Sequence, residues 1–478
     1  MEIPGECEYR SEPVLVTPSQ PTPRCSLYLS NLDDQRFLRF SIKYLYVFPA
    51  VAAVAADALR AALARALVDY YPLAGRLRPS DDDDAGAKLL VDCNAEGALF
   101  AEAFLPSLTA GDFLQGSAKP HKSWRKLLYR VDASSFFAVP PLVVQVTRLG
   151  CGGMVLCTAI SHCLCDGIAS ANFLHAWARA AAAAHTSVAD ATVLHDRRAL
   201  RPRCPPRVAF THPEYTSGGG TGTHPSLLSQ LLSQPLAPVS LTFTASHLLR
   251  LKTGCSPSLR CTSFEALAAH VWRAWVLSLG PPPAMRVKLL FSVNVRRRLK
   301  PELPWSYSGN AFVLGCAEAT AGELVASGSS GGVRLVQEAK ECIDDDYVRS
   351  MVDLLEERRG AKPDLAATLV ISAWTRLGLE DIDFGKGRAA HMGPLTSEIY
   401  CVFLPVVADG YPDGVTVLVS VPQAAAESFE HHCCLLDEEP ATPAMALVDN
   451  DHDDGNKKLQ GSHPDLVVHQ HGRHDILA

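Results

Sequence analysis

Met154-Val155-Leu156-Cys157-Thr158-Ala159-Ile160-Ser161-His162-Cys163-Leu164-Cys165-Asp166-Gly167 is an apolar strand pattern that ends in an imidazole, a carboxylate and a glycine. A strand that stops on His162, rather than on ordinary turn residues, puts a titratable group at a sheet edge, where clefts open. With an unperturbed pKa near ~6.5, such an imidazole can take a proton from a hydroxyl or an amine at neutral pH. Upstream, Leu142 to Leu149 reads as a second strand, joined to the first through the glycine-rich turn Gly150 to Gly153. Downstream, Ala169 to His185 is an alanine-dominated pattern that predicts a buried helix. Gly167 is expected to be the turn residue, with permissive backbone angles. Asp166 invites a triad reading, with the carboxylate orienting the imidazole. Cys163 and Cys165 invite a metal cluster, but no second ligand pair stands at zinc spacing, so packing is the expectation and no metal is expected.

Strand and helix patterns alternate through the first half. Asp57 to Tyr71 has helical spacing and ends where Pro72 and Gly75 turn the chain. Strands are expected at Gly75 to Leu77, Lys88 to Cys93 and Ala98 to Ala103, with Asp81 to Asp84 as a solvated acidic loop tip. From about Thr186 to Pro238 the periodicity collapses into Pro, Gly, Ser and Thr, which reads as an interdomain crossover. Its Gly218 to Gly222 run is no phosphate loop, because no Gly-Lys-Ser/Thr follows and no strand precedes. Helices then read at Thr262 to Leu279, Gly332 to Asp344 and Val348 to Arg358. Strands read at Val287 to Val293, Ala367 to Trp374, Glu398 to Val407 and Val415 to Val421. The expected division is a first domain at 1–190, a crossover at 191–238, a second domain at 239–426 and a disordered, acidic, histidine-rich tail at 427–478.

A chain of 478 residues is too long for one ordinary core, so two domains fit its length. The net charge is −7, of which −6 falls from Asp437 onward, where nine acidic residues face three basic ones. The nearly neutral remainder excludes a phosphate-backbone binder. The apolar region from Tyr44 to Leu67 is broken by Pro49, Asp57, Arg60 and Arg65 and does not span a membrane. The N-terminal residues lack the pattern of a signal peptide. With fifteen irregularly spaced cysteines, this predicts reduced thiols in a cytoplasmic protein. Seven of the seventeen histidines lie beyond residue 430, where adventitious metal binding is all they suggest.

Several separated segments together resemble the plant BAHD acyltransferases. The two signatures are H-x-x-x-D-G at His162 to Gly167, and D-F-G-W-G at Asp383-Phe384-Gly385-Lys386-Gly387, with Lys386 in place of the usual tryptophan. Further matches are Tyr71 to Leu77, Thr262-Ser263-Phe264-Glu265, His270 to Ala274, Asn294-Val295-Arg296, Tyr307-Ser308-Gly309-Asn310 and Ile371-Ser372-Ala373-Trp374. The resemblance covers about residues 10 to 425. It implies an α/β (α+β) two-domain chloramphenicol-acetyltransferase-like fold, with mixed sheets flanked by helices and an active-site channel between the domains. It implies transfer of an acyl group from coenzyme A to an alcohol or amine, with acyl-CoA as co-substrate, no permanently bound cofactor, and a monomer.

In that family His162 is the base that deprotonates the acceptor, and Asp166 turns away from it to pair with an arginine, here Arg296. Asp383, Phe384, Gly385 and Gly387 form a structural motif away from the reacting atoms, so Lys386 is expected to alter local packing or the CoA-side surface without removing chemistry. Ser372 is the candidate donor to the oxyanion, and Trp374 a pocket wall. Thr262 or Ser263 caps a helix whose N-terminus is a candidate site for CoA phosphates, plain capping being the alternative. Leu27 to Asp33, Val91 to Cys93, Pro140 to Leu142 and Leu335 to Ala339 look most like the hydroxycinnamoyl transferases that act on ω-hydroxy fatty acids and fatty alcohols. Arg359 falls where shikimate-using relatives grip a carboxylate, or is simply helix-end charge. Transfer to shikimate, quinate or an amine stays open at this point, as does a non-catalytic accessory role in fatty-acid elongation.

Overall fold

The computed structural model describes residues 1–80, 88–182, 192–216, 234–396, 400–407 and 413–436. β9 (Met154–Ser161) is buried along its whole length, which is why its sequence is apolar on both faces. It lies antiparallel between β8 (Leu142–Leu149) and β4 (Ser41–Phe48). β8 runs parallel to β7 (Ala98–Leu105), which carries the short edge strands β1 (Glu8–Tyr9) and β2 (Val14–Val16). On its other side β4 takes β14 (His391–Pro394), a strand from the far end of the second half. These seven strands form the first sheet. A small sheet of β3 (Ser26–Tyr28), β6 (Leu89–Asp92) and β5 (Arg76–Pro79) lies beside it.

Two helices cover the first sheet. α1 (Ala56–Asp69) buries Leu59, Ala62, Leu63, Ala66 and Leu67, one stripe at helical spacing. α3 (Gly167–Ala182) packs against it through Phe173, Leu174 and Trp177. The short α2 (Ala110–Gln115) closes a smaller cluster around Phe113 and Trp124.

The second sheet runs in the order β10 (Leu236–Phe243), β16 (Val415–Pro422), β15 (Cys401–Pro405), β13 (Thr368–Ala373), β11 (Arg286–Asn294), β12 (Phe312–Thr320). β11, β13 and β15 are parallel and the rest antiparallel. Its helices are α4 (Ala245–Thr253), α5 (Ser263–Leu279), α6 (Ala321–Ala326), α7 (Gly328–Glu341), α8 (Asp345–Glu357) and α9 (Ala426–Cys434). The architecture is thus two mixed sheets flanked by helices, each with its own apolar core.

Parts of the fold depart from the sequence reading. β1 to β4, β14 and α2 were not expected, nor in the second half were β10, β12, α4 and α6, where Pro235 and Pro238 and the small or polar residues Gly315, Cys316 and Glu318 blunt the apolar pattern. Within the crossover, residues 192–216 are closely packed: Arg197 is 2% and Glu214 0% exposed, and Leu194 bridges Tyr307. Residues 427–434, assigned to the disordered tail by composition, belong to α9, whose Phe429 and Cys433 are buried in the second core. The acidic loop Asp81 to Asp84, the Gly218 to Gly222 run and residues 437–478 lie outside the described residues.

Candidate active site

His162 leaves the buried strand β9 with its backbone pinned on both sides. Its N–H donates to Phe40 O (2.9 Å), and its carbonyl accepts from Asn310 Nδ2 (2.8 Å). The ring sits between Phe40 (centroids 5.2 Å apart, edge-on) and Phe312 (5.8 Å). Nδ1 is sealed and without a hydrogen-bond partner, whereas the residue as a whole keeps partial exposure. Nε2 is therefore the nitrogen that a substrate can reach. Burial lowers the imidazole below its ordinary value, outweighing the opposing pull of the Asp166 charge. At neutral pH it is the free base.

Asp166 does not face His162. Its Oδ2 and Oδ1 take Arg296 Nη1 (2.7 Å) and Nη2 (3.1 Å) in a bidentate pair, with both residues at 4% exposure or less. Oδ1 also accepts Ala169 N (2.8 Å), capping α3, and Oδ2 accepts Ala311 N (3.1 Å). Arg296 Nη2 also donates to Tyr307 O and Gly309 O, while its Nε is buried without a partner. The carboxylate is saturated, so it cannot also orient the imidazole. One ion pair thus ties the turn after β9 to the segment that follows β11.

A second buried network supports the same turn and involves residues given no role from sequence. Asp33 Oδ1 accepts both Asn310 N (2.8 Å) and Asn310 Nδ2 (2.9 Å), the amide that also holds the His162 carbonyl. Its Oδ2 takes Ser30 N and Oγ. Arg197, from the crossover, lies 3.7 Å from Asp33 and donates to the carbonyls of Leu164, His195 and Ser308. It therefore touches the first half, the crossover and the second half at once. Asp33 and Asn310 stood inside quoted motifs, so their burial was the missing signal; Arg197 carried none.

Gly167 has no left-handed backbone and begins α3. A Cβ there would lie 2.9 Å from Leu377 Cδ1, the end of a flexible side chain that packs against the turn. The absence of a left-handed backbone corrects the expectation of permissive angles. Cys163 and Cys165 are 0% and 2% exposed. Burial pushes the Cys163 thiol well up and that of Cys165 to about 12, so both stay protonated packing groups. No group of three or more metal-ligating side chains occurs among the described residues.

The second motif is a loop closed on itself. Asp383 Oδ1 accepts the N–H groups of Gly385 (2.7 Å), Lys386 (3.0 Å) and Gly387 (2.9 Å), and both glycines have the positive φ this turn demands (94° and 116°). Phe384 is buried in the first core, edge-on to Trp177 and Phe48. The Lys386 side chain is exposed and takes no part in the loop's bonds.

Ser372 is half-buried on β13, and its Oγ accepts from Trp374 Nε1 (3.2 Å), which leaves the hydroxyl proton uncommitted. Trp374 packs on Tyr44 of β4. Thr262 and Glu265 form a reciprocal capping box at the start of α5. The Glu265 carboxylate already occupies that N-terminus and pairs with Lys340, which argues against a phosphate there. Arg359 pairs with Glu356 one turn back (2.6 Å) at the end of α8.

Two buried histidines make the fold acid-sensitive. His195 is held neutral by Ser308 Oγ at Nδ1 (2.7 Å) and by donation from Nε2 to Asp69 O (2.7 Å); His391 lies against Phe113 and Trp124 with Nε2 sealed and unpartnered. Burial pushes both down to about 4. The unfolded chain takes up these protons below about pH 6.5 while the folded chain refuses them down to about pH 4. Stability is therefore full above that window and falls as pH drops through it, each histidine adding a slope of up to about 1.4 kcal/mol per pH unit. Urea midpoints measured between pH 7 and 4 should fall on this schedule, and His195→Gln should flatten it; a pH-independent midpoint would refute the assignment.

A model of the Transferase family matches residues 9–436, a span that includes α9. Over 432 residues the chain is 37% identical to the fatty alcohol:caffeoyl-CoA acyltransferase of Arabidopsis thaliana, covering 88% of this chain and 96% of that one. It is 35% identical over 433 residues to the omega-hydroxypalmitate O-feruloyl transferase of the same plant, covering 88% and 92%. The crystal structure of vinorine synthase shares the fold with a TM-score of 0.65 at 19% identity, covering 88% of this chain and 96% of that one. The chain belongs to this Transferase family, the BAHD acyl-CoA-dependent acyltransferases. It is accordingly an enzyme whose acyl donor is a coenzyme A thioester.

Proposed function

We propose that this enzyme transfers a hydroxycinnamoyl group, feruloyl or caffeoyl, from its CoA thioester to the hydroxyl of a fatty alcohol or ω-hydroxy fatty acid. The observation that carries the reading is the likeness to the two Arabidopsis enzymes along nearly the whole chain. It fits an apolar cluster of Leu32, Phe37, Leu314 and Met351 around Phe312, whose ring lies 5.8 Å from the His162 imidazole; the cluster suits an alkyl chain better than a polyol.

His162 Nε2 takes the proton of the acceptor hydroxyl as its oxygen attacks the thioester carbonyl. The thioester is already activated, so no covalent enzyme intermediate is needed. The tetrahedral intermediate carries its charge on the former carbonyl oxygen, and Ser372 donates its free hydroxyl proton there as a hydrogen bond. Collapse breaks the C–S bond, and the imidazolium returns its proton to the departing thiolate. Asp166, Arg296, Asn310 and Asp33 act as positioning residues that hold the turn presenting His162. The enzyme is read as cytoplasmic, because all fifteen cysteines are free, as in a reducing compartment. No helix among the described residues is long and apolar enough to cross a membrane.

Feruloyl-, caffeoyl-, coumaroyl-, benzoyl- and acetyl-CoA offered against long-chain alcohols, ω-hydroxy acids, shikimate and spermidine, with released CoA measured, test the assignment. Fastest turnover is expected for a hydroxycinnamoyl donor with an alkyl acceptor; preference for shikimate or spermidine would overturn it. Ser372→Ala should lower kcat by about 10- to 100-fold with little change in KM. A loss confined to KM would make Ser372 a wall of the pocket instead.

A further inference from the structure

β3 and β6 carry two cysteines just beyond their paired residues. The register Tyr28↔Leu90, Leu27↔Val91, Ser26↔Asp92 sets Cys25 opposite Cys93 at the next step, and Cys93 N donates to Cys25 O (2.9 Å). One residue further on, the Arg24 guanidinium donates to Asn94 O, so the two chains still run together there. Directly opposed residues of an antiparallel pair point to the same face, with Cα atoms about 5.5 Å apart where they share a backbone hydrogen bond. A disulfide needs a Cα separation of about 4.4–6.8 Å. The backbone already stands at bridging distance.

The two thiols differ in access. Cys93 is 1% exposed and lies on the buried face of β6, with Leu89 and Val91, in the first core. Cys25 is exposed at the rim of that core. Burial, and after it the Cys25 sulfur, push the Cys93 thiol up to about 12, and the Tyr71 hydroxyl feels both sulfurs. A reagent in solution therefore meets Cys25 first and finds a second sulfur behind it, the arrangement of an attacking and a resolving thiol.

We infer that Cys25 and Cys93 form a reversible disulfide, closed by a small-molecule disulfide such as oxidised glutathione. The Cys25 thiolate attacks one sulfur of the reagent, giving a Cys25–glutathione mixed disulfide and releasing one glutathione. Cys93 then loses its proton to solvent, and its sulfur attacks that of Cys25 and expels the second glutathione as a thiolate. Two protein thiols are oxidised and one glutathione disulfide is reduced to two thiols. Capping Cys25 removes its charge, which otherwise opposes ionisation of Cys93, so the second step is easier than in the dithiol. The bond bears on the site, because β3 leads directly into Ser30 and Asp33, whose network through Asn310 pins the His162 carbonyl. Bridging fastens that segment to β6 and closes a long loop of the unfolded chain. In a reducing compartment the pair stays as two thiols, and the bond appears only under oxidant.

The full-length folded protein is held in glutathione buffers from fully reduced to fully oxidised, quenched by alkylation and digested without reduction. Peptides joined through Cys25 and Cys93 should accumulate as the buffer becomes oxidising and vanish with dithiothreitol. The urea midpoint of the oxidised protein should rise by about 0.5–1 M, and reduction should cancel the rise. Cys25→Ser, at an exposed position, should leave the reduced midpoint unchanged and abolish both the cross-link and the rise. Cys93→Ser should trap Cys25 as its glutathione mixed disulfide. Wild-type protein whose Cys25 stops at the mixed disulfide, or joins a different cysteine, would overturn the inference. So would a cross-link that forms only in urea, and one that leaves the midpoint unmoved would remove the fastening role.

Discussion

His162→Ala is expected to lower kcat by about 10²- to 10⁴-fold, the range a positioned base contributes. His162→Gln, which keeps a polar group of similar reach but no basic nitrogen, should fall as far. The expectation follows from geometry: Nδ1 is sealed, Asp166 is committed to Arg296, and the partial exposure of His162 leaves Nε2 as the accessible base. The pH profile provides an independent check. Because burial lowers the imidazole, the free base persists below about pH 6.5, and the acid limb of kcat/KM should lie below that value. The rate then falls as pH drops through the lowered pKa. Released CoA from purified variants at saturating donor measures this directly. A variant that keeps its rate, or an acid limb above neutrality, would remove His162 from the role of base.

Arg296→Met should cost about 3–5 kcal/mol of stability, because it leaves the Asp166 carboxylate buried without a countercharge and retains only the backbone donors of Ala169 and Ala311. Chemical unfolding reads the loss. Activity should fall with it, since the turn that carries His162 loses its brace. Replacing both partners should cost less than the two single changes combined, as expected for groups that answer each other. A triad would behave differently: Asp166→Asn would then spare stability and lower kcat alone. Native-like unfolding of Arg296→Met with a large kcat defect would favour that alternative.

The parts of this protein legible in its sequence are those whose causes are local. β8, β9 and α3 were readable because runs such as Val143-Val144 and Leu156-Cys157 and the stripe of α3 announce burial within a few residues. His162 was readable because a titratable residue ending such a strand is conspicuous. Arg296 was found through family resemblance, whereas its bond to Asp166 spans 130 positions and no local pattern reports it. Asn310 and Asp33 look like ordinary loop residues until a separation of 277 positions is closed. Arg197 sits in a stretch whose Pro and Ser content reads only as a crossover, yet it is among the most buried cations. Likewise Ala426 to Cys434, with His431, His432 and Glu430, has a polar composition, and only the second core reveals why Phe429 and Cys433 make it a helix.

β14 finally bears on how this protein can be taken apart. Its four residues hydrogen-bond to β4 in register from His391↔Val47 to Pro394↔Tyr44, so the first sheet is completed by chain made almost last. A gene fragment ending after α3 would expose the edge of β4 and lose Phe384 from its core. Neither half is therefore a self-sufficient fragment, and separately expressed halves should be soluble only when they meet. During synthesis the His162 sheet must wait, one edge open, until residues near 390 have left the ribosome. A nick within the crossover, by contrast, should leave the two pieces clasped, since β14 and Phe384 hold them together without the connecting peptide.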